Sequence, residues 1–507
     1  LLLATPAAAT PGDLAAYMRA RAADADGRTV AAAQDYARAF AADAGNPVVA
    51  IRTYREAVRA GDIALADRAA TALGAKAPPD AALLAMGEAA RTPATAAPAI
   101  DRLAAGQFAL FAAPLRMWLA LDEGRQQPSA DSIARRLGEE TRALVRIARG
   151  DTDRGVAALR VVLGNDQAAQ DNRLFAARLL IAQDKADDAR ALLIGDAPAI
   201  VALRARADDR SAGVAPSLAA GTAHLFARIA SDLALGAPTP VTYALLRGAL
   251  RADPGNDRAR LLLAGALARD GAVDQAVATL AAVPADSIHA GAATTGRVQI
   301  LAAAGRDQDA LAAARADAAQ DPADRRRLAD LYLRLDRPGE AAPIYRRLIA
   351  DAGDAADWAD WLQLGAALDL AGDWKAARPA LERAVALGPE QPLALNHLGY
   401  SLIEHGERAT EAQAMLEKAA RLQPDDAAIT DSLGWSLYRR GDVARALPLI
   451  ERAAAADPVN AEIAEHLGDV YWSAGRRFEA RYAWTAARQL VEADDASRLT
   501  AKIANGL

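Results

Sequence analysis

The sequence predicts an all-α protein, a solenoid of antiparallel helix hairpins, and three observations carry that prediction. Glycines recur inside helical patterns at a nearly fixed period: Leu364-Gly365, Leu398-Gly399, Leu433-Gly434 and Leu467-Gly468 are spaced 34, 35 and 34 residues apart. Apolar residues make up 52% of the chain but aromatics only 5%, so the core is built from Ala, Leu, Val and Ile, which suit closely packed helices. At 507 residues the chain is too long for one hydrophobic core. A short unit that cannot bury its own apolar face, stacked many times, accounts for the length and the period together.

Each element of the unit has a physical reason. Seven residues after each Leu-Gly stands a second glycine, Gly372, Gly406, Gly441 or Gly475, which permits the turn between a first helix, A, and a second, B. Ala377, Ala412, Ala446 and Ala480 follow, small enough for the two helices to cross closely. Large residues come next on helix B (Leu381, Leu416, Ile450, Trp484), then small ones again (Ala384, Ala419, Ala453, Ala487), at helical spacing. Pro389, Pro424 and Pro458 end three of the four units by stopping helix B.

With Trp361 in the first helix of its unit, and with the strings Leu395-Asn396-His397-Leu398-Gly399-Tyr400-Ser401-Leu402 and Asp431-Ser432-Leu433-Gly434-Trp435-Ser436-Leu437-Tyr438, the pattern closely resembles the tetratricopeptide repeat family. It is similar in particular to exported proteobacterial members whose repeats fill the mature chain. The resemblance implies a right-handed superhelix whose A helices line a concave groove that binds proteins or peptides.

Upstream the template fits less closely. Units centre on Ala329, Tyr332, Ala341 and Tyr345, with Gly353 in place of the terminal proline; on Gly305, Ala310 and Pro322; and on Gly271, Ala276 and Leu280; another ends at Pro254. The expected organisation is therefore a leader remnant at 1–9, divergent helical repeats over 10–195, an irregular connection at 196–221, a regular array over 222–492 and a capping helix over 493–507. Within the divergent half, Gly61 with Ala66, Gly150 with Gly155, and Ala177 with Ala189 fit one repeat each, whereas the stretch from Gly87 to Leu103 fits poorly.

Composition narrows the function. The formal charge is −6 with no basic stripe, which disfavours nucleic acid as a partner. Cysteine is absent, so disulfides, thiolate metal sites and thiol nucleophiles are excluded. The opening run Leu1-Leu2-Leu3-Ala4-Thr5-Pro6-Ala7-Ala8-Ala9 reads as the end of an apolar leader followed by a small-x-small cleavage site, which predicts export to the periplasm. No later stretch is long and apolar enough to predict a membrane span.

No phosphate-cradling glycine loop, dinucleotide fingerprint, nucleophile elbow or His-Glu-x-x-His occurs, so the expectation is a protein without catalytic residues, cofactor or metal. The best metal constellation, Glu462, His466 and Asp469 with Glu465 beside them, reads more simply as a hydrated acidic helix start. His397 and His466 hold equivalent places two residues before the repeat glycine and read as structural.

Taking the positions three before and one, four and five after the repeat glycine as groove-facing, the resemblance assigns Asn396, Tyr400, Ile403 and Glu404, then Asp431, Trp435, Tyr438 and Arg439, then Glu465, Asp469, Trp472 and Ser473. Aromatic anchors beside Asn, Asp and Arg suit an extended peptide, neutral or basic given the surrounding carboxylates; Arg439 alone makes no carboxylate clamp. The competing reading packs these rings against neighbouring A helices. The groove reading predicts that Trp435→Ala with Tyr438→Ala abolishes partner capture and leaves melting nearly unchanged. The function expected is a non-catalytic scaffold or adaptor in the periplasm; the alternative is a cytoplasmic regulatory or recruiting subunit of an enzyme complex.

Overall fold

A computed structural model describes residues 11–122, 131–164, 166–234, 236–317, 322–491 and 493–507. The leader remnant at 1–9 lies outside the described residues. Among those described there are 29 α-helices and no strand, and successive helices pack in pairs. The chain divides into two compact units, Leu1–Ala313 and Ala314–Leu507.

In the C-terminal unit a first hairpin, Pro322–Arg334 with Pro338–Ala352, precedes four regular ones. Their A and B helices are Trp358–Leu370 and Trp374–Leu387, Pro392–Glu404 and Ala409–Leu422, Ala427–Arg439 and Val443–Ala456, and Ala461–Ser473 and Arg477–Leu490. The turn glycines Gly372, Gly406, Gly441 and Gly475 all take the left-handed conformation, with φ of 80°, 69°, 86° and 81°, which side chains disfavour. The repeat glycines serve a different purpose: a Cβ on Gly365, Gly434 or Gly468 would lie 2.6, 2.6 and 2.3 Å from Leu381, Ile450 and Trp484. Absence of a side chain on helix A thus seats the large residue of helix B, and Leu381, Leu416, Ile450 and Trp484 are all buried. Asp357, Asp373, Asp426, Asp442 and Asn460 cap five of these helices by accepting backbone N–H bonds. A last helix, Ala493–Asn505, follows and buries Leu499 against the final hairpin.

The N-terminal unit is also built of hairpins, but they do not only stack on their chain neighbours. Helix Pro240–Ala252 packs on Ala81–Ala89 and on Pro47–Ala60, bringing the divergent repeats against the regular ones within a single core. Gly87 explains the poor fit of its segment. It lies backbone to backbone with Gly248, and a Cβ there would come 2.3 Å from the Gly248 carbonyl oxygen, so this glycine answers a long-range crossing instead of the repeat. Arg247 then donates to the carbonyls of Val58 and Arg59 at 3.0 and 2.7 Å, satisfying the end of helix Pro47–Ala60. Arg251 holds Asp67 through two bonds and Glu88 through a third. The compact unit runs through 196–221, which contains helix Pro198–Ala205 and a 3-10 turn at Arg210–Ala212.

Candidate protein-binding groove

Helices Pro392–Glu404, Ala427–Arg439 and Ala461–Ser473 carry all twelve residues singled out from the sequence. Four-residue spacing puts Asn396, Tyr400 and Glu404 on one helix face, and Asp431, Trp435 and Arg439 on the equivalent face of the next. The structure joins most of these residues to one another. The Trp435 indole is only 8% exposed. It stacks on His466 with centroids 3.8 Å apart and planes at 12°, stacks on Tyr438 at 4.9 Å, and donates its N–H to Glu404 Oε1 at 2.6 Å. Glu404 also accepts from Arg439 at 2.8 Å, and that guanidinium lies 5.8 Å from the Trp435 ring centre. Tyr400 donates its hydroxyl proton to Glu462, two hairpins away.

The expectation that Trp435 is a free anchor therefore needs correcting. Its ring ties three consecutive A helices together, so Trp435→Ala cannot leave melting unchanged. Tyr438, like Tyr400, stays partly accessible, with its hydroxyl 3.1 Å from Ser473 Oγ.

On the last hairpin, Glu465, Asp469 and Trp472 are engaged by the chain's own C-terminal helix. Lys502 donates to Glu465 at 2.6 Å and to Asp469 at 2.7 Å, Arg498 pairs with Glu465, and Gly506 lies against the Trp472 ring so closely that it has no room for a Cβ. The helix does here what the next A helix does one hairpin earlier, where His466 pairs with Asp431 at 2.7 Å. The signal was present in the sequence as two cations four residues apart, opposite the acidic positions three before and one after Gly468.

The metal constellation is dispersed among other partners: Glu462 accepts from Tyr400, His466 faces Asp431, and Asp469 accepts from Trp484 at 2.8 Å and from Lys502. His397 and His466 differ despite their equivalent places, for His397 is exposed and His466 is buried. The carboxylates are likewise compensated, Glu404 by Arg439 and Glu465 by Lys502 and Arg498, so the acidic groove expected from the sequence is close to neutral. Two acceptors on these helices are left over: Asn396 Oδ1 and Asp431 Oδ1 are buried and have no hydrogen-bond partner among the described residues.

Burial alone would lower the pKa of His466; the hydrogen bond and charge of Asp431, with Glu462 and Asp469 behind, outweigh it and hold the group above its ordinary 6.5. A histidine raised on folding stabilises fully below its unfolded value, and that contribution is lost as pH rises through the folded value. The C-terminal unit should thus lose stability between pH 6.5 and the folded value of His466, and His466→Gln should flatten that slope. Denaturant melts of both proteins across this window are the measurement; parallel slopes would remove His466 from the account.

Comparison with known proteins bears on the repeat itself. Residues 242–287, 358–401 and 432–497 each match a tetratricopeptide repeat model. No curated protein matches the chain. Among solved structures, a tetratricopeptide repeat protein from Parabacteroides merdae is 15% identical, with a TM-score of 0.40, over 46% of this chain and 93% of its own. TTC0263, a thermophilic repeat protein of Thermus thermophilus, is 21% identical with a TM-score of 0.32 over 37% and 98%. MamA from Desulfovibrio magneticus is 21% identical with a TM-score of 0.28 over 33% and 94%. Tetratricopeptide repeats generally mediate protein–protein interactions and are typically non-catalytic.

Proposed function

We propose that the chain is a non-catalytic scaffold that holds a segment of another protein along the inner face of its second to fourth regular hairpins. The observation that carries this reading is the pair of unpartnered acceptors, Asn396 Oδ1 and Asp431 Oδ1, set one repeat apart beside the accessible Tyr438, Glu404 and Arg439. A buried acceptor without a donor costs about 1–3 kcal/mol, which favours a local shift that brings either oxygen to the surface, where a backbone N–H of an extended segment meets it. The near-neutral groove favours a neutral or mildly basic segment held by main-chain hydrogen bonds over one held by charge alone.

The binding test leaves Trp435 in place. Asn396→Ala with Glu404→Gln changes two groups that are not fully buried, and glutamine keeps an acceptor for the Trp435 N–H. Affinity capture from the native organism, quantified by mass spectrometry, should lose the principal partner by about tenfold or more, which corresponds to roughly 1.4 kcal/mol. The same partners recovered in the same amounts would place the site elsewhere. Export to the periplasm is part of this proposal, supported by the leader-like run Leu1 to Ala9 and the absence of cysteine. Recovery of the protein in the cytosolic fraction of its native cell would contradict it.

A further inference from the structure

The N-terminal unit contains a cleft of about 290 Å³ between helices Pro47–Ala60 and Pro240–Ala252 that no feature of the repeat explains. Two tyrosine–aspartate pairs of matching construction face it. Tyr54 donates its hydroxyl proton to Asp80 at 2.9 Å, and Tyr243 donates to Asp270 at 2.7 Å. Glu56 and Arg59 form the floor, Pro238 and Pro240 an apolar wall, and Arg55 stands exposed at the rim.

Asp80 is the unusual member. It immediately precedes helix Ala81–Ala89, a place where aspartate ordinarily caps the helix, yet its side chain makes no capping bond. The carboxylate is turned to the cleft instead, 5% exposed, with Tyr54 as its one hydrogen-bond partner among the described residues. Glu56 is neutralised by Arg59 at 2.8 Å, and Arg59 also serves Asp24 at 2.7 Å. Asp270 lies 3.5 Å from Arg59 Nε, beyond a strong bond, and that buried nitrogen has no hydrogen-bond partner. Asp80 thus meets a cavity with phenols and, among the described residues, no cation within ion-pair distance, where an unpaired buried charge is costly, while Asp270 has only a share of Arg59.

We propose that this cleft is a binding site for a primary ammonium or guanidinium group, held between Asp80 and Asp270 and against the Tyr54 and Tyr243 rings. Carboxylates supply the charge, phenolic oxygens accept the remaining N–H bonds, and aromatic faces attract a desolvated cation. The proline wall and Val58 line the path of an alkyl stem, as a lysine side chain or a linear diamine carries. Glu56 adds a readout. Burial pushes it up to about 7 against the opposing pull of Arg59, so a cation arriving beside it lowers that value and releases protons near neutral pH.

Titration calorimetry of the full chain near pH 7 with two probes, putrescine and Nα-acetyl-lysine amide, tests the site. Either probe should bind one to one with millimolar or tighter affinity; putrescine alone identifies a free amine as the source, and the lysine derivative alone identifies a protein side chain. The apparent enthalpy should vary with the ionisation enthalpy of the buffer, and Glu56→Gln should abolish that variation. Asp80→Asn keeps an acceptor for Tyr54 and should weaken binding by about tenfold or more; Asp270→Asn, at a less buried position, should do the same if the first variant folds poorly. No saturable heat with either probe, or affinity unchanged in both variants, would overturn the assignment. Neither result bears on the groove of the C-terminal unit.

Discussion

Replacing Trp484 by alanine should produce one of the two largest losses of stability of any single change in the C-terminal unit, about 3–5 kcal/mol. The ring is fully buried beneath Gly468, whose missing side chain creates its seat. Its N–H donates to Asp469 at 2.8 Å, and it packs with Leu499 and lies 5.4 Å from Trp472. Alanine would leave a cavity the size of an indole and deprive a buried aspartate of one donor, with Lys502 its remaining partner among the described residues. Because the last helix docks through the same cluster, both Arg477–Leu490 and Ala493–Asn505 should open together. Amide exchange protection in those helices is expected to fall by roughly two to three orders of magnitude, while helix Trp358–Leu370 keeps most of its protection, as nearest-neighbour stacking requires. Trp484→Leu should lose less, since leucine fills the same place at Leu381 and Leu416. A drop below tenfold in the alanine variant would mean that the last hairpin does not depend on this ring.

The regular hairpins were legible because each of their determinants is local. A glycine with positive φ, a small residue at a crossing and a proline after helix B lie within one repeat of the contact they make, so periodicity exposes them. The N-terminal unit was less legible for the opposite reason. Gly87 meets Gly248, Gly61 lies under Arg247 and Gly221 under Trp118, pairings separated by up to 186 residues, and nothing in a 34-residue window encodes them. The groove fell between these cases. Spacing placed its residues on the right faces, but whether a ring faces a ligand or the next helix depends on what the next hairpin presents, here His466 for Trp435 and the terminal helix for Trp472. Asp80 shows the same limit: the sequence offers a helix cap, and only the approach of Tyr54 reveals that its carboxylate points elsewhere.

Trp435→Ala should separate the structural from the recognition role of the inner face, because it removes the ring that both depend on. Its truncation is expected to cost about 3–5 kcal/mol, from lost packing against His466 and Tyr438 and from the donor withdrawn from Glu404. Tyr438→Ala, at a half-accessible ring, should cost markedly less and chiefly affect binding. The two rings stack at 4.9 Å, so their effects should not add, and a double-mutant cycle should return a coupling of about 0.5–1.5 kcal/mol. Denaturant melts of the two single variants and the double variant give that coupling, and binding measured well below each midpoint isolates recognition from unfolding. With Trp435 gone, the imidazole stacked against it loses its cover while keeping Asp431, which lifts the burial that opposes its charged form and should steepen the pH dependence assigned to His466. A Trp435→Ala protein that melts like the parent and keeps its pH slope would show that the stacked rings contribute nothing to holding the A helices together, and the inner face would then have to be rebuilt around Tyr438 and Asn396 alone.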